Sequence, residues 1–292
     1  MDAYTSQNQP PLLSFARDDI EQRLLFNGGR FTQVNTLLSF VLGTTLAAAF
    51  LLSLFPLRGF AFAEMFFIHG SIPYTIVFFT AWALAILLLK YCKLRLQRQC
   101  LLHHVVPEDV DFVLNPANVD VVFNHIYRVV DDPRRFLLFN RIFVALGNLR
   151  NLGRVSDVDE ILRTQADVDE AAIDNSYTLI ASFIWAIPVL GFIGTVLGLS
   201  QAIGKFGAVL QQPGAGSGGS GLDSIKDQLY EVTGGLSMAF VTTLQALVAA
   251  LAIQLLLTFI KKAELEFLDQ CSRYCTENIV NRLRLLPFER EN

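Results

Sequence analysis

Four stretches of this chain carry no charged side chain over a length that matters to a bilayer. They are roughly 32–55 ("TQVNTLLSFVLGTTLAAAFLLSLF"), 72–89 ("IPYTIVFFTAWALAILLL"), 177–203, and 236–260 ("LSMAFVTTLQALVAALAIQLLLTFI"). A membrane-spanning helix needs about 20 predominantly apolar residues. The expectation is an all-α integral membrane protein with four transmembrane helices. Composition agrees: 52% of residues are hydrophobic and 17% charged, against about 25% charged in soluble domains. The net charge of −4 gives no reason to expect nucleic-acid binding. Four unevenly spaced cysteines do not make a disulfide framework. The residues before the first apolar run are polar and mixed in charge, so that run reads as a retained span and not as a signal peptide.

Lys and Arg placement sets the expected orientation. Of the 23 basic residues, only Arg58, Lys205 and Lys226 fall in the first and third connections. All others lie in the N-terminal tail, the 90–176 segment or the C-terminal tail, so these three regions are expected on the cytoplasmic side. The chain then divides into five parts. Residues 1–31 are a cytoplasmic tail, disordered over 1–13, with "SFARDDIEQRLLF" (Ser14–Phe26) fitting an amphipathic helix on the inner membrane surface and stopped by Gly28-Gly29. Residues 32–89 are a transmembrane hairpin. Residues 90–176 are a cytoplasmic helical segment, with breakers at Pro107, Pro116, Pro133 and Gly153. Residues 177–260 hold spans three and four, joined by an external loop over 204–235 that contains "QQPGAGSGGSG"; that run has no side chains with which to build a core. Residues 261–292 are a cytoplasmic C-terminal helix, with Leu265, Leu268, Cys271 or Ser272, Cys275, Ile279 and Leu286 near helical spacing.

The third span raises a question of its own. "AIPVLGFIGTVLGLSQAIGKF" (Ala186–Phe206) holds Pro188, Gly191, Gly194, Gly198 and Gly204. A helical glycine costs about 1 kcal/mol relative to alanine, and proline about 3 kcal/mol. Pro188, Gly191, Thr195, Gly198 and Ala202 step by threes and fours, which puts them on one helix face; Gly194 widens the stripe. Span four has a comparable stripe: Gly235, Ala239, Thr242 or Thr243, Ala246 and Ala250. Small residues let helix backbones approach closely in lipid, where burial of apolar surface drives nothing. Either the two stripes pack on each other within one subunit, or they line a shared axis with a partner helix. Thr195, Thr242, Thr243 and Gln245 add polar groups at membrane depth. No Asp, Glu, Lys, Arg or His lies in any span, and such groups mark proton relays. A relay through this chain therefore needs a carboxylate from another polypeptide.

"IPVLGFIGTVLGL" (Ile187–Leu199) resembles the P-x-x-G-x-x-GTV-x-G core of the MotA/TolQ/ExbB proton-channel family. "GGLSMAFVTTLQALVAAL" (Gly234–Leu251) resembles that family's other signature helix, G-x-x-x-A-L-x-x-T-x-x-G-L. The resemblance covers roughly Asp167 to Leu268. It implies a subunit of the bacterial inner membrane that is not an enzyme. It implies a homopentamer around a dimer of a single-span MotB/TolR/ExbD-like partner, whose membrane Asp carries protons. It further implies that the complex acts as a stator, a motor that turns ion-motive force into mechanical work. Carried over by position, Thr195 and Thr243 line the ion path with Thr242 as a neighbour. Pro188, Gly191, Gly194, Gly198, Ala239 and Ala246 shape the channel wall. No cofactor is implied; the transported ion is H+, with Na+ as the alternative. The chain departs from the pattern at Met238, where the TolQ/ExbB branch carries Glu, at Ala246 in place of the second glycine, and at Ala252, near which that branch often has Pro. Four spans match the MotA layout, while the motif wording is closer to TolQ/ExbB. The competing class is a scaffolding membrane oligomer that uses the small-residue faces for packing only.

"DVDE" occurs at Asp157–Glu160 and again at Asp167–Glu170. Asp157, Asp159, Glu160, Asp167, Asp169 and Glu170 read either as a solvated acidic face or as a docking face for a basic cytoplasmic partner. Arg134, Arg135, Arg141 and Arg150 make a basic set on predicted helices, which in a flagellar stator would meet the rotor. Cys271 and Cys275, at i and i+4, lack further ligands and read as a buried apolar face, not a metal site. His103 and His104 read as surface residues. "GSGGSG" lacks the Gly-Lys-Ser/Thr ending of a phosphate loop, and the chain shows no nucleophile–base constellation.

Overall fold

A computed structural model describes residues 13–23, 29–57, 59–67, 70–103, 105–106, 114–116, 118–152, 155–210 and 220–283. The described chain is all-helical: α1 (Phe15–Asp18), α2 (Ile20–Arg23), α3 (Thr36–Leu54), α4 (Ala61–Phe67), α5 (Ile72–Arg98), α6 (Val119–Val129), α7 (Leu137–Leu152), α8 (Val155–Ser176), α9 (Thr178–Leu210) and α10 (Ser220–Asn278). Four helices are long and apolar enough to cross a membrane. The residues fall into two compact units. One comprises 39–87 and 178–258, the other the described residues of 1–38, 88–177 and 259–292.

In the first unit, α3 meets α5 where a glycine faces a tryptophan. A Cβ on Gly43 would come within 2.6 Å of the Trp82 Cα, so only glycine allows this approach. The Trp82 indole N–H donates to Ser39 Oγ at 3.2 Å. Its ring packs with Phe40 and with Phe183 of α9, at centroid separations of 5.1 and 4.8 Å. Thr44, Thr45, Ser53, Thr80 and Ser182 each donate to a carbonyl of their own helix. In lipid that is the cheapest way to satisfy a hydroxyl. Large apolar side chains stand exposed along these helices, among them Leu52, Trp185, Phe192, Phe240 and Phe259. Faces of this size have no stable place in water.

The second unit has a conventional core. α6 buries Val119, Val122, Phe123, Ile126 and Val129, spacings of three and four that form one stripe. Phe123 stacks on Phe143 of α7 at 4.2 Å, and α7 packs along α8. Beside exposed surface pairs, three of its ion pairs are buried. Lys93 bonds Glu21, Lys90 bonds Glu264 and Arg141 bonds Asp169, every partner at 3% exposure or less.

Three expectations change here. The Ser14–Phe26 segment is not one amphipathic surface helix. The chain breaks at Asp19, which is extended, between α1 and α2. Ser14 and Phe15 are tied to the Asp131 carboxylate, and Glu21 turns inward to accept from Lys93 and from the amides of Gly29 and Asn35. Residues 1–12 and 24–28 lie outside the described residues. The glycine-rich connection is shorter than 204–235, because α9 continues to Leu210 and α10 begins at Ser220; residues 211–219 lie outside the described set. Once nucleated, a helix gains a hydrogen bond for each residue added, so it extends past scattered glycines. The C-terminal helix ends at Asn278 and not near 292. A short 3-10 turn follows at Val280–Arg282, and Leu114 N–H then captures the Arg282 carbonyl at 2.9 Å. Residues 284–292 lie outside the described set.

Candidate functional site

The two motif helices, α9 and α10, meet along their glycine and alanine stripes. A Cβ on Gly191 would stand 2.6 Å from the Ala246 Cβ. On Gly194 it would strike the Thr242 hydroxyl and lie 2.9 Å from the Thr242 Cβ. On Gly198 it would meet the Gly235 carbonyl oxygen at 2.6 Å and the Ala239 amide at 3.0 Å, while Gly235 faces Ala202. As the number rises on α9 it falls on α10, so the helices run antiparallel with small residues interlocked. The seam answers the question for Gly191, Gly194 and Gly198, whose missing side chains make room for α10 of the same chain; a Cβ on Gly204 would meet nothing within 4 Å. Pro188 stands half-buried inside α9, which continues through it.

The hydroxyls fall in different places on this seam. Thr242 has no exposed surface and donates back to Met238 O at 2.9 Å. It fills the notch at Gly194. Thr243 is half-buried and its one proton has two acceptors, Ala239 O at 3.0 Å on its own helix and Gly191 O at 3.2 Å on α9. Thr195 is half-buried and donates to Phe192 O at 2.6 Å. Gln245 reaches out of the seam, its side-chain N–H2 bonding Met65 O of α4 at 3.2 Å, with its carbonyl oxygen unpartnered among the described residues. Beyond the seam, the outward faces are apolar: Phe192, Val196 and Ile203 on α9, and Phe240, Leu244 and Leu251 on α10.

The acidic repeats separate. Glu160, Asp167 and Glu170 are exposed, and Asp159 pairs with the exposed Arg163. Asp157 is half-buried. Asp169 is 3% exposed and bonds Arg141 Nε at 2.6 Å. It therefore leaves the proposed docking face, and Arg141 leaves the basic set for the same reason. A buried ion of either sign needs its counter-ion beside it. The Arg150 side chain lies outside the described set. His103 is half-buried, and His104 lies outside the described residues. Cys271 and Cys275 are buried. Among the described residues no cluster of three or more His, Cys, Asp or Glu is placed to hold a metal.

Sequence reasoning missed the buried polar contacts of the second unit. Glu264 Oε2 accepts from Lys90 at 3.3 Å and from the Tyr177 hydroxyl at 2.5 Å, and the Lys90 ammonium sits 4.0 Å from the Tyr177 ring centroid. A signal existed. Leu257, Glu264 and Cys271 repeat at seven, and Lys90, Lys93 and Gln97 continue the stripe of Ala83 and Leu87 on α5. A charge on an apolar stripe calls for a buried partner.

These features define a multi-pass, all-α membrane protein built around a close antiparallel helix pair. Residues 139–271 carry a domain of the MotA/TolQ/ExbB proton channel family. The match begins earlier than Asp167, taking in most of α7 and all of α8 with both motif helices. Channels of this family are not enzymes, and the family implies a complex with MotB/TolR/ExbD-like partners. No curated protein and no solved structure matched the chain.

Proposed function

We propose that the chain is an ion-conducting stator-type subunit of a membrane motor, carrying protons along the α9/α10 pair. Five copies surround a dimer of single-span partners, both termini face the cytoplasm of a bacterial inner-membrane protein, and the partner's Asp is the titrating group. The observation that carries the reading is the Thr243 hydroxyl. It stands half-buried at the edge of the seam, between carbonyls on two helices, in apolar segments that hold no ionisable residue of their own. A hydroxyl with two acceptors can turn, and turning lets it accept from a water or an ion. Thr195 supplies a second half-buried hydroxyl on α9. Thr242, enclosed at Gly194, serves packing in this reading. Sodium would use the same oxygens.

The experiment is proton flux in vesicles holding the subunit with its partner. Thr195→Val and Thr243→Val should each lower flux at least tenfold while the complex still assembles. Full flux in both variants overturns the ion path. One observation favours the scaffold reading: the glycine stripes are satisfied within one chain, so they would serve equally in a protein that conducts nothing. A complex that assembles without a single-span partner would decide for it.

A further inference from the structure

A cleft of about 290 Å³ opens in the second unit between α8 and α10, with Arg141 of α7 in its wall. Its polar lining is Arg141, Asp159, Arg163, Ser272 and Thr276. Arg141 is 1% exposed. Its Nε is taken by Asp169 and its Nη1 by Ser272 Oγ at 2.9 Å, while Nη2 is buried with no acceptor among the described residues. A charged donor left without an acceptor is costly. Ser272 Oγ accepts from Arg141, so its own proton is available for a further acceptor. Across the cleft Arg163 is 79% exposed and pairs with Asp159 at 3.0 Å. Such an exposed pair is held weakly against water.

We propose that this cleft binds a phosphate group, gripped by Arg163 and the Ser272 hydroxyl with Arg141 beneath, and with the Thr276 hydroxyl, which donates to Ser272 O at 3.1 Å, turning from that carbonyl to join them. The chemistry is complementary in number and kind. A free phosphate offers acceptor oxygens in tetrahedral array and more negative charge than one carboxylate; a phosphodiester headgroup offers two unbridged oxygens and one charge, and guanidinium forks match either. Asp159 is its competitor for Arg163, which makes occupancy depend on the phosphate outbidding one exposed carboxylate. The group belongs either to a free anion or to an anionic phospholipid headgroup.

The test uses the full chain purified in detergent. Inorganic phosphate is titrated at constant ionic strength against chloride, reading binding heat and thermal midpoint. In parallel, the protein is moved into nanodiscs with and without phosphatidylglycerol, and retained lipid is counted by native mass spectrometry. Arg163→Ala and Thr276→Val change exposed or edge positions and leave the Arg141–Asp169 pair in place. Expected is binding by the wild type that weakens at least tenfold in Arg163→Ala, and that strengthens several-fold in Asp159→Asn. Binding of phosphate alone assigns a free anion; lipid retention lost in Arg163→Ala assigns the headgroup. If neither probe separates wild type from Arg163→Ala, the proposal fails.

Discussion

Single residues decide the seam between α9 and α10. Gly198 faces backbone, the Gly235 carbonyl and the Ala239 amide, which have no rotamer with which to yield. Gly198→Ala should cost about 1–3 kcal/mol by overpacking, read as a drop in thermal midpoint. Gly194 faces a side chain, so Gly194→Ala should be partly rescued by Thr242→Ala; a double-mutant cycle measures the coupling. Asp169 gives a second contrast. Arg141→Met strands a buried carboxylate and should cost about 3–5 kcal/mol, whereas Asp167→Asn, on an exposed position, should stay within about 0.5 kcal/mol. Denaturant midpoints distinguish the two. Asp19 sets a pH dependence. Burial pushes its carboxyl above the ordinary carboxylate range, opposed by Lys93 at 3.9 Å and aided by Glu21. A raised folded value means stability is full below the unfolded pKa and declines as pH rises through the folded one. Asp19→Asn should therefore raise stability at neutral pH and flatten that decline, measured as thermal midpoint against pH.

At the scale of elements, periodicity announced the long helices and polarity hid the joins. α10 runs unbroken for 59 residues, far beyond the about 20 a bilayer core needs. Its buried stripe keeps one register through Ala239, Ala246, Ile253, Leu257, Glu264, Cys271 and Cys275. The apolar part of that stripe was readable from spacing; that Glu264 continues it was readable too, and became meaningful only beside Lys90 and Tyr177. The break at Asp19 was not readable, because nothing local in "FARDDIEQR" stops a helix. Asp131 and Lys93, more than 70 residues away in sequence, pull Ser14 and Glu21 in different directions. If the pull is the cause, Lys93→Met should expose the 13–23 segment to hydrogen exchange and leave α9 and α10 protected. Unchanged protection at 13–23 would assign the break to the segment itself.

At the scale of the whole molecule, the outward apolar faces of α9 and α10 are what an assembly or a lipid annulus would cover. Because the small residues are already spent on the internal seam, subunit contacts in the proposed pentamer must use larger side chains such as Phe192 and Phe240. Native mass spectrometry of the complex from its own membrane should show five copies with two single-span partners. Phe240→Ala should loosen the assembly without lowering the helix content seen by circular dichroism. A complex insensitive to that change would place the subunit contact elsewhere.

By itself the sequence determined the class of element, the four apolar spans and the two motif helices, because bilayer length and helical period act on neighbouring residues and leave their mark in order and spacing. It also limited the proton chemistry, since a span without an ionisable group cannot carry a relay alone. Only the tertiary structure decided which surface the glycines face, that Thr242 packs while Thr243 stands at an edge, and that Asp169 and Arg141 neutralise each other inside the fold. Each of these depends on a partner distant in sequence, and the energy of a buried charge or a missing Cβ is set by what lies against it.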